Sequence, residues 1–137
     1  MDEHTFIQQV AMRLACDESR AEGLTFVVFQ LLRARITKGE AADVAAQLPA
    51  GLRRLWSEGE APAAAEHFGR DEFLGHVRSR AGLPDDAEAE RAARAVFATL
   101  QRALGSPGGT RGEAWDVFSQ LPKSLKQLWL DAGRGTE

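Results

Sequence analysis

The chain has one cysteine, no tyrosine and no long apolar run. Cys16 has no second cysteine to pair with inside the chain, so the fold cannot depend on an intramolecular disulfide. The longest apolar stretch, around residues 24–32, is about half the length needed to span a bilayer, and Thr25 and Gln30 interrupt it. The first residues, Met-Asp-Glu-His, are unlike a signal peptide. These absences predict a soluble, cytoplasmic protein without a membrane segment.

A basic charge balance is also missing. The chain has 17 Lys and Arg against 20 Asp and Glu, a formal net charge of −3. Because loose binding to nucleic acid requires a basic surface, this balance argues against that class of function. The hydrophobic content of 44% and charged content of 27% are ordinary for a globular protein, and 137 residues suffice for one domain with a core.

An internal repeat is the most informative feature that the chain does contain. Residues 37–56 and 110–129 match at a constant offset (110 − 37 = 73) and share Gly-Glu-Ala-x-Asp-Val-x-x-Gln-Leu-Pro-x-x-Leu-x-x-Leu-Trp. Similarity this dense predicts one supersecondary unit that is used twice. Apolar spacings of three and four residues, and Ala-, Glu- and Arg-rich runs, indicate helices throughout. We therefore expect an all-α fold in which two pseudo-symmetric four-helix repeats pack into one helical bundle-like domain.

The helix signals also predict the domain organisation. We place the first repeat at residues 1–59 and the second at 71–132, joined by a linker at 60–70 and followed by a flexible tail at 133–137. Within the second repeat, Gly-Ser-Pro-Gly-Gly at residues 105–109 predicts a flexible loop.

Several side chains predict where helices begin and end. Thr37-x-x-Glu40 and Thr110-x-x-Glu113 have the spacing of a capping box, in which each side chain binds the backbone N–H of the other residue. Asp71 is the expected N-cap of the first helix in the second repeat. The Gln-Leu-Pro sequence of each copy predicts a corner between the third and fourth helices. Six motif residues are predicted to face the core: Leu48, Leu52, Trp56, Leu121, Leu125 and Trp129.

A helical leader followed by Glu-Ala-x-Asp-Val-x-x-Gln-Leu-Pro-x-x-Leu-x-x-Leu-Trp, repeated twice, resembles the bacterial family named domain of unknown function 2267. The resemblance covers residues 3–131, and its most specific parts are residues 43–49 with 52–56, and 116–122 with 125–129. It implies a small, all-helical, duplicated bacterial protein. It brings no catalytic or ligand-binding residues.

The residue types that most often carry chemistry do not form a recognisable site. His4, His67 and His76 lack the spacing of a helical metal pair, and surface histidines are the favoured interpretation. Cys16 is followed by two carboxylates, which would raise the pKa of its thiol and make it a poor nucleophile. The chain has no Gly-x-Ser-x-Gly and no phosphate-loop lysine. We therefore expect no metal and no cofactor.

Asp43 and Asp116 are the most notable carboxylates, because both copies keep them within an otherwise apolar helix. A catalytic dyad would need the two groups close together and one pKa raised. The alternative is that each pairs with a nearby base such as Arg53 or Lys126, or caps a neighbouring helix. We favour this structural alternative, and an enzyme built on the two aspartates is the weakest of the functional hypotheses.

Basic residues offer a second hypothesis. If the two fourth helices were adjacent, a basic stripe would form beside the two repeated tryptophans, with Arg33 and Arg35 near four central residues: Arg53, Arg54, Lys123 and Lys126. Such a stripe would bind nucleic acid or a phosphate ligand. Ordinary solvated charge remains the favoured interpretation.

The leading functional expectation is a non-catalytic protein-interaction or scaffold module. It rests on the absence of a nucleophile–base pair, and on the fact that the repeated residues are mostly helix ends and core positions. A protein partner or self-association is expected, and nucleic acid is possible but not favoured.

Overall fold

A computed structural model of the chain describes residues 1–59 and 68–134. This described part contains eight α-helices and no strand, which confirms the all-α prediction. The helices are α1 Glu3–Leu14, α2 Glu18–Arg35, α3 Lys38–Gln47, α4 Ala50–Ser57, α5 Arg70–Ala81, α6 Asp86–Ala103, α7 Gly112–Gln120 and α8 Lys123–Arg134. None of the described helices is both long and apolar enough to cross a lipid bilayer.

The helices fall into a central group of four, two helices that pack on this group, and an outer pair. The central group is α1, α2, α5 and α6, which pack against one another. Each half of the chain then adds its short fourth helix, α4 on α2 and α8 on α5 and α6. Helices α3 and α7 pack chiefly against each other and against α4 and α8 respectively. The α3–α7 contact therefore lies away from the central helices and joins the two halves of the chain.

Local side chains cap the starts of four helices. Asp2 accepts a hydrogen bond from the backbone N–H of the third residue after it at 2.8 Å, and Asp17 and Asp85 do the same at 2.7 and 2.9 Å. Thr37 caps α3 through its hydroxyl at 3.1 Å. Each of these bonds satisfies an N–H group that the helix itself leaves without a partner.

The predicted N-cap of α5 is wrong, because the cap residue is Gly69 and the helix begins before Asp71. The backbone N–H of Arg70 donates to Oγ of Ser124 on α8 at 3.0 Å. A hydroxyl from a distant helix therefore does what Asp71 was expected to do. Residues 60–67 of the predicted linker lie outside the described residues, and Arg70 belongs to α5.

The capping box predicted at Thr110 and Glu113 is also absent. Helix α7 begins one residue later than expected, with Arg111 as its N-cap and no capping side chain. The backbone N–H of Arg111 donates instead to Oγ of the buried Ser106 at 3.0 Å. Gly112 at the start of the helix has a φ of +53°, which favours glycine and displaces the cap from Thr110.

Two series of buried aromatic rings line the core, one from each half of the chain. Each series takes one ring from the first, second and fourth helices of its half: Phe6, Phe29 and Trp56, and Phe73, Phe97 and Trp129. The ring centroids are 5.5 and 5.2 Å apart in the first series and 5.7 and 5.1 Å apart in the second. These separations suit edge-on and tilted aromatic contacts.

The burial predicted for the repeated motif is confirmed. All six motif residues are buried: Leu48, Leu52, Trp56, Leu121, Leu125 and Trp129. The Leu-Pro corners separate α3 from α4 and α7 from α8, as the sequence predicts. The corners turn the apolar faces of α4 and α8 towards the core.

The loop at residues 105–109, predicted to be flexible, is tied to the helices around it. The backbone N–H of Ser106 donates to the carbonyl of Gln101 at 2.9 Å. Nε1 of Trp129 donates to the carbonyl of Gly109 at 3.0 Å. Helix α8 also includes Gly133, which the sequence analysis placed in the tail, while residues 135–137 lie outside the described part.

Replacing Gly109 by alanine should lower the free energy of unfolding by about 2–3 kcal/mol. The residue has a φ of +74°, and an added Cβ would lie 2.4 Å from Nε1 of Trp129. Urea titration would measure the loss. Gly75 is the matched control, because it lies inside α5 with open space around its Cα, so Gly75→Ala should stabilise the protein by up to about 1 kcal/mol. Equal behaviour of the two variants would show that the loop is not packed.

Candidate functional site: carboxylates at the α3–α7 contact

Three carboxylates meet where α3 and α7 pack together. Glu40 comes from the first turn of α3, Glu113 from the first turn of α7, and Asp116 from the same face of α7 three residues later. One carboxylate oxygen from each residue lies within 4.8 Å of the corresponding oxygens of the other two. Two helices from different halves of the chain thus build one acidic cluster.

The three carboxylates differ in how far they are exposed to solvent. Glu40 is only 6% exposed, Glu113 is half-buried and Asp116 is exposed. Oε2 of Glu40 and Oε2 of Glu113 are both buried and receive no hydrogen bond within the described structure. No basic side chain of the described residues forms an ion pair with any of the three carboxylates. Buried charge without a partner is costly, so the cluster calls for a proton or a cation.

The electrostatic consequence is largest at Glu40. Burial, followed by a hydrogen bond with the adjacent carboxyl of Glu113 and the negative charges of Glu113, Asp116 and Asp43, raises the pKa of Glu40 to about 8. Each of these effects disfavours the charged form. With no cation bound, Glu40 is therefore mostly protonated at neutral pH.

Only half of the capping box predicted at α3 forms. The backbone N–H of Glu40 donates to the hydroxyl of Thr37, but the Glu40 side chain does not return to the backbone of Thr37. The N–H of Thr37 donates instead to Oε1 of Gln120, at the end of α7, at 2.8 Å. The Gln120 side chain thus frees Glu40 to face Glu113, and the capping role predicted for both glutamates is wrong.

A sequence signal for this pair did exist. Glu40 and Glu113 occupy the same position in the two copies of the motif (113 − 40 = 73). A contact between two copies of one unit brings equivalent positions together when they lie near the axis that relates the copies. The sequence repeat alone does not identify which pairs of equivalent positions come into contact.

Comparison with known proteins places the chain in a family. The profile of the family described as "Uncharacterized conserved protein (DUF2267)" matches residues 3–128. The chain belongs to the DUF2267 family. The matched region includes all three carboxylates of the cluster. Among curated proteins, none matches the chain.

In this DUF2267 protein the two predicted aspartates have different surroundings. Asp116 belongs to the cluster, while Asp43 is exposed on α3 and contributes only its charge to the field at Glu40. Neither aspartate forms an ion pair with Arg53, Lys126 or any other residue that the structure describes. The expected pairing with a nearby base is therefore wrong, because the bases have other partners.

Arg53 binds the end of its neighbouring helix. Its Nε donates to the carbonyl of Ala45 and its Nη2 to the carbonyl of Leu48, both at 3.0 Å. These carbonyls lie at the C-terminus of α3, where a cation also favours the helix dipole. The backbone at this helix end thus occupies the guanidinium that was expected to reach Asp43.

The other three basic residues of the predicted stripe lie on two helices. Arg54 on α4 is 3.6 Å from Oε2 of Glu3. On α8, Nζ of Lys126 lies 5.4 Å from the centre of the Phe118 ring, and Lys123 is exposed at the start of the helix. The structure therefore groups Lys123 with Lys126 and Arg53 with Arg54.

The remaining candidate residues have ordinary surroundings. Nδ1 of His4 lies 3.4 Å from a carboxylate oxygen of Glu18, and the His76 ring packs edge-on against Phe68. His67 lies outside the described residues. Burial, with the charge of the neighbouring aspartate, raises the pKa of the Cys16 thiol, as the sequence predicted.

Proposed function

We propose that this DUF2267 protein is a non-catalytic interaction module that binds an amphipathic helix of a partner protein on the exposed face of α7. Trp115 carries the proposal, because its side chain is 47% exposed on that face. It is the only large aromatic residue so exposed within residues 1–59 and 68–134. Exposed tryptophans are uncommon in folded proteins and are enriched among the residues that dominate binding energy.

The surroundings of Trp115 support a binding surface. Its ring packs against Phe118 with centroids 5.1 Å apart and an interplanar angle of 31°. Lys126 lies over the Phe118 ring, and Lys123 is exposed on the same helix. We call Trp115, Phe118 and Lys126 the α7 surface. An aromatic pair bordered by long basic side chains suits the apolar stripe and acidic edge of an amphipathic helix.

We further propose that the halves α1–α4 and α5–α8 are pseudo-symmetric copies of one four-helix unit. Their helices have 12, 18, 10 and 8 residues against 12, 18, 9 and 12. The two aromatic series occupy positions related by the sequence offsets (73 − 6 = 67, 97 − 29 = 68 and 129 − 56 = 73). Equivalent positions thus serve equivalent roles in the core.

The α7 surface departs from this equivalence. At the offset of 73, Trp115 corresponds to Ala42 and Phe118 to Ala45. Alanines on α3 show that the unit packs without aromatic residues at these positions. Phe118 is half-buried and packs against the core, so Trp115 is the residue of the pair that the fold leaves exposed for binding.

Trp115→Ala should abolish partner binding while lowering the free energy of unfolding by only about 1–2 kcal/mol, because the side chain is half-exposed and its main contact is with Phe118. Proteins that co-purify with the tagged chain would be identified and titrated against purified parent and variant. Met12→Ala is the matched control, since Met12 is an exposed apolar residue on α1. The Met12→Ala variant should bind the partner with the same affinity as the parent protein.

Self-association is a separate outcome of the same design. Sedimentation velocity would show it as a concentration-dependent shift that Trp115→Ala removes and Met12→Ala keeps. In that case the occupant of the α7 surface is a second copy of the chain. Partner binding that survives Trp115→Ala unchanged would overturn the assignment of the surface.

A second candidate function is the binding of a phosphate ligand or nucleic acid. The sequence predicts this function at Arg53 and Lys126, but the structural support for it comes from a groove elsewhere on the protein. A groove of about 480 Å³ is lined by Arg13, Arg91 and Arg94, among other residues. Arg13 has no carboxylate partner among the residues that the structure describes. Affinity for an oligonucleotide that falls steeply with salt and is lost in Arg13→Ala would support this function over the first.

The enzyme hypothesis has less support. A dyad of Asp43 and Asp116 would need the two carboxylates in contact, whereas the groups that Asp116 meets are Glu40 and Glu113. An activity that Asp43→Asn abolishes in a folded protein would revive it.

A further inference from the structure

We infer that Glu40, Glu113 and Asp116 form a binding site for one divalent cation of the oxygen-preferring class, such as Mg²⁺, Mn²⁺ or Ca²⁺. The inference is independent of the proposed function, because Trp115 is not among the ligands. It assigns a ligand to the one group of three carboxylates that converges within the described part of the chain.

The distances fit a single ion. Each residue offers one carboxylate oxygen, and the three oxygens lie within 4.8 Å of one another. Ca²⁺ binds oxygen at about 2.3–2.6 Å, so two ligands on opposite sides of one ion are about 5 Å apart. Separations below 4.8 Å are therefore within the span of the coordination shell of one ion.

The donor set selects the class of ion. All three ligands are carboxylate oxygens, and no imidazole or thiol of the described residues joins the group. Hard cations prefer such ligands, whereas Zn²⁺ and Cu²⁺ favour sites with nitrogen or sulfur. The exposed Asp116 gives access from solvent, and water molecules would complete the coordination shell on that side.

The buried carboxylate oxygens are the observation that points to a ligand. Oε2 of Glu40, on a side chain only 6% exposed, and Oε2 of Glu113 have no hydrogen-bond donor in the described structure. With no arginine or lysine paired to it, a carboxyl that is buried among other carboxyls avoids the cost of an uncompensated charge only by holding a proton or by binding a cation. A divalent cation would supply this compensation to both oxygens and to Asp116 together.

Occupation of the site would link the two halves of the chain. Glu40 belongs to α3 and the other two ligands to α7, and these outer helices pack chiefly on each other and on α4 and α8. A bound ion would therefore stabilise the α3–α7 contact. Because the ion binds only the folded chain, the melting temperature should rise with its concentration.

Isothermal titration calorimetry on the full chain, stripped with EDTA and dialysed, tests the site with MnCl₂, CaCl₂ and MgCl₂ in turn. We expect one ion to bind per chain, with a melting temperature that rises as the salt is added and falls again with EDTA. Glu113→Gln and Asp116→Asn should each weaken binding at least tenfold. Glu72→Gln is the matched control, because Glu72 is an exposed glutamate on α5 and forms no ion pair with a described residue.

The absence of saturable binding of all three cations to the folded parent would overturn the inference, and so would binding that Asp116→Asn and Glu72→Gln alter equally. Asp116 is exposed, so Asp116→Asn should keep the helical circular dichroism of the parent and remain informative even if Glu113→Gln does not fold. Loss of cation binding with partner binding intact would leave the proposed function standing. The reverse result would leave the cation site standing.

Discussion

Trp129→Ala should lower the free energy of unfolding by about 3–5 kcal/mol. The Trp129 side chain is fully buried, and its ring centroid lies 5.1 Å from that of Phe97. Its Nε1 donates to the carbonyl of Gly109 at 3.0 Å, so the truncation also removes the bond that holds the loop. Since the free energy of unfolding of a small domain is only about 5–15 kcal/mol, this loss is a large part of the total stability. Urea titration followed by circular dichroism would measure it.

Two further variants separate the reasons for this loss. Trp56→Ala should cost a similar amount, because Trp56 is buried against Phe29 and its Nε1 donates to the carbonyl of Ala41 at 3.0 Å. Trp115→Ala removes the same side chain from a half-exposed position and should cost only about 1–2 kcal/mol. If Trp129→Ala and Trp56→Ala both unfold like the parent protein, the aromatic series do not stabilise the fold.

In the absence of divalent cations, the free energy of unfolding should fall as the pH rises from about 4.5 to about 8. The ordinary pKa of a glutamate is 4.5, whereas the pKa of Glu40 in the folded protein is about 8. Between these values the folded chain holds a proton that the unfolded chain has released. The contribution of Glu40 to the free energy of unfolding is therefore fully present below pH 4.5 and is lost as the pH rises through 8. The slope of this loss is up to about 1.4 kcal/mol per pH unit.

Urea titrations at a series of pH values in EDTA, on the parent and two variants, would test this dependence. Glu40→Gln should flatten the curve and make the protein more stable than the parent at pH 9, because glutamine keeps the shape and carries no charge. Glu72→Gln should keep the slope of the parent, since Glu72 is exposed. A parent protein whose stability is unchanged between pH 5 and 9 would contradict the placement of Glu40 in a buried carboxylate cluster.

The sequence by itself determined the features that depend on neighbouring residues. Asp2 and Asp85 cap helices because their side chains reach N–H groups only three residues away. Leu48 ends α3 because the following proline disfavours the helical conformation in its predecessor. The spacing of leucine and tryptophan in the motif likewise predicts the buried faces of α4 and α8, because a helix of 3.6 residues per turn aligns them.

Only the tertiary structure decided where side chains find partners far along the chain. The N–H of Thr37 meets Gln120, and that of Arg70 meets Ser124, 83 and 54 residues away. The Thr37-x-x-Glu40 spacing predicts a local capping bond for Glu40, because spacing along the chain reports only on contacts between neighbours. The packing of α3 on α7 instead buries Glu40 against Glu113, and burial determines its pKa and its capacity to hold a cation. Glu40 lies between two helices, so its pKa and its contacts depend on how those helices pack.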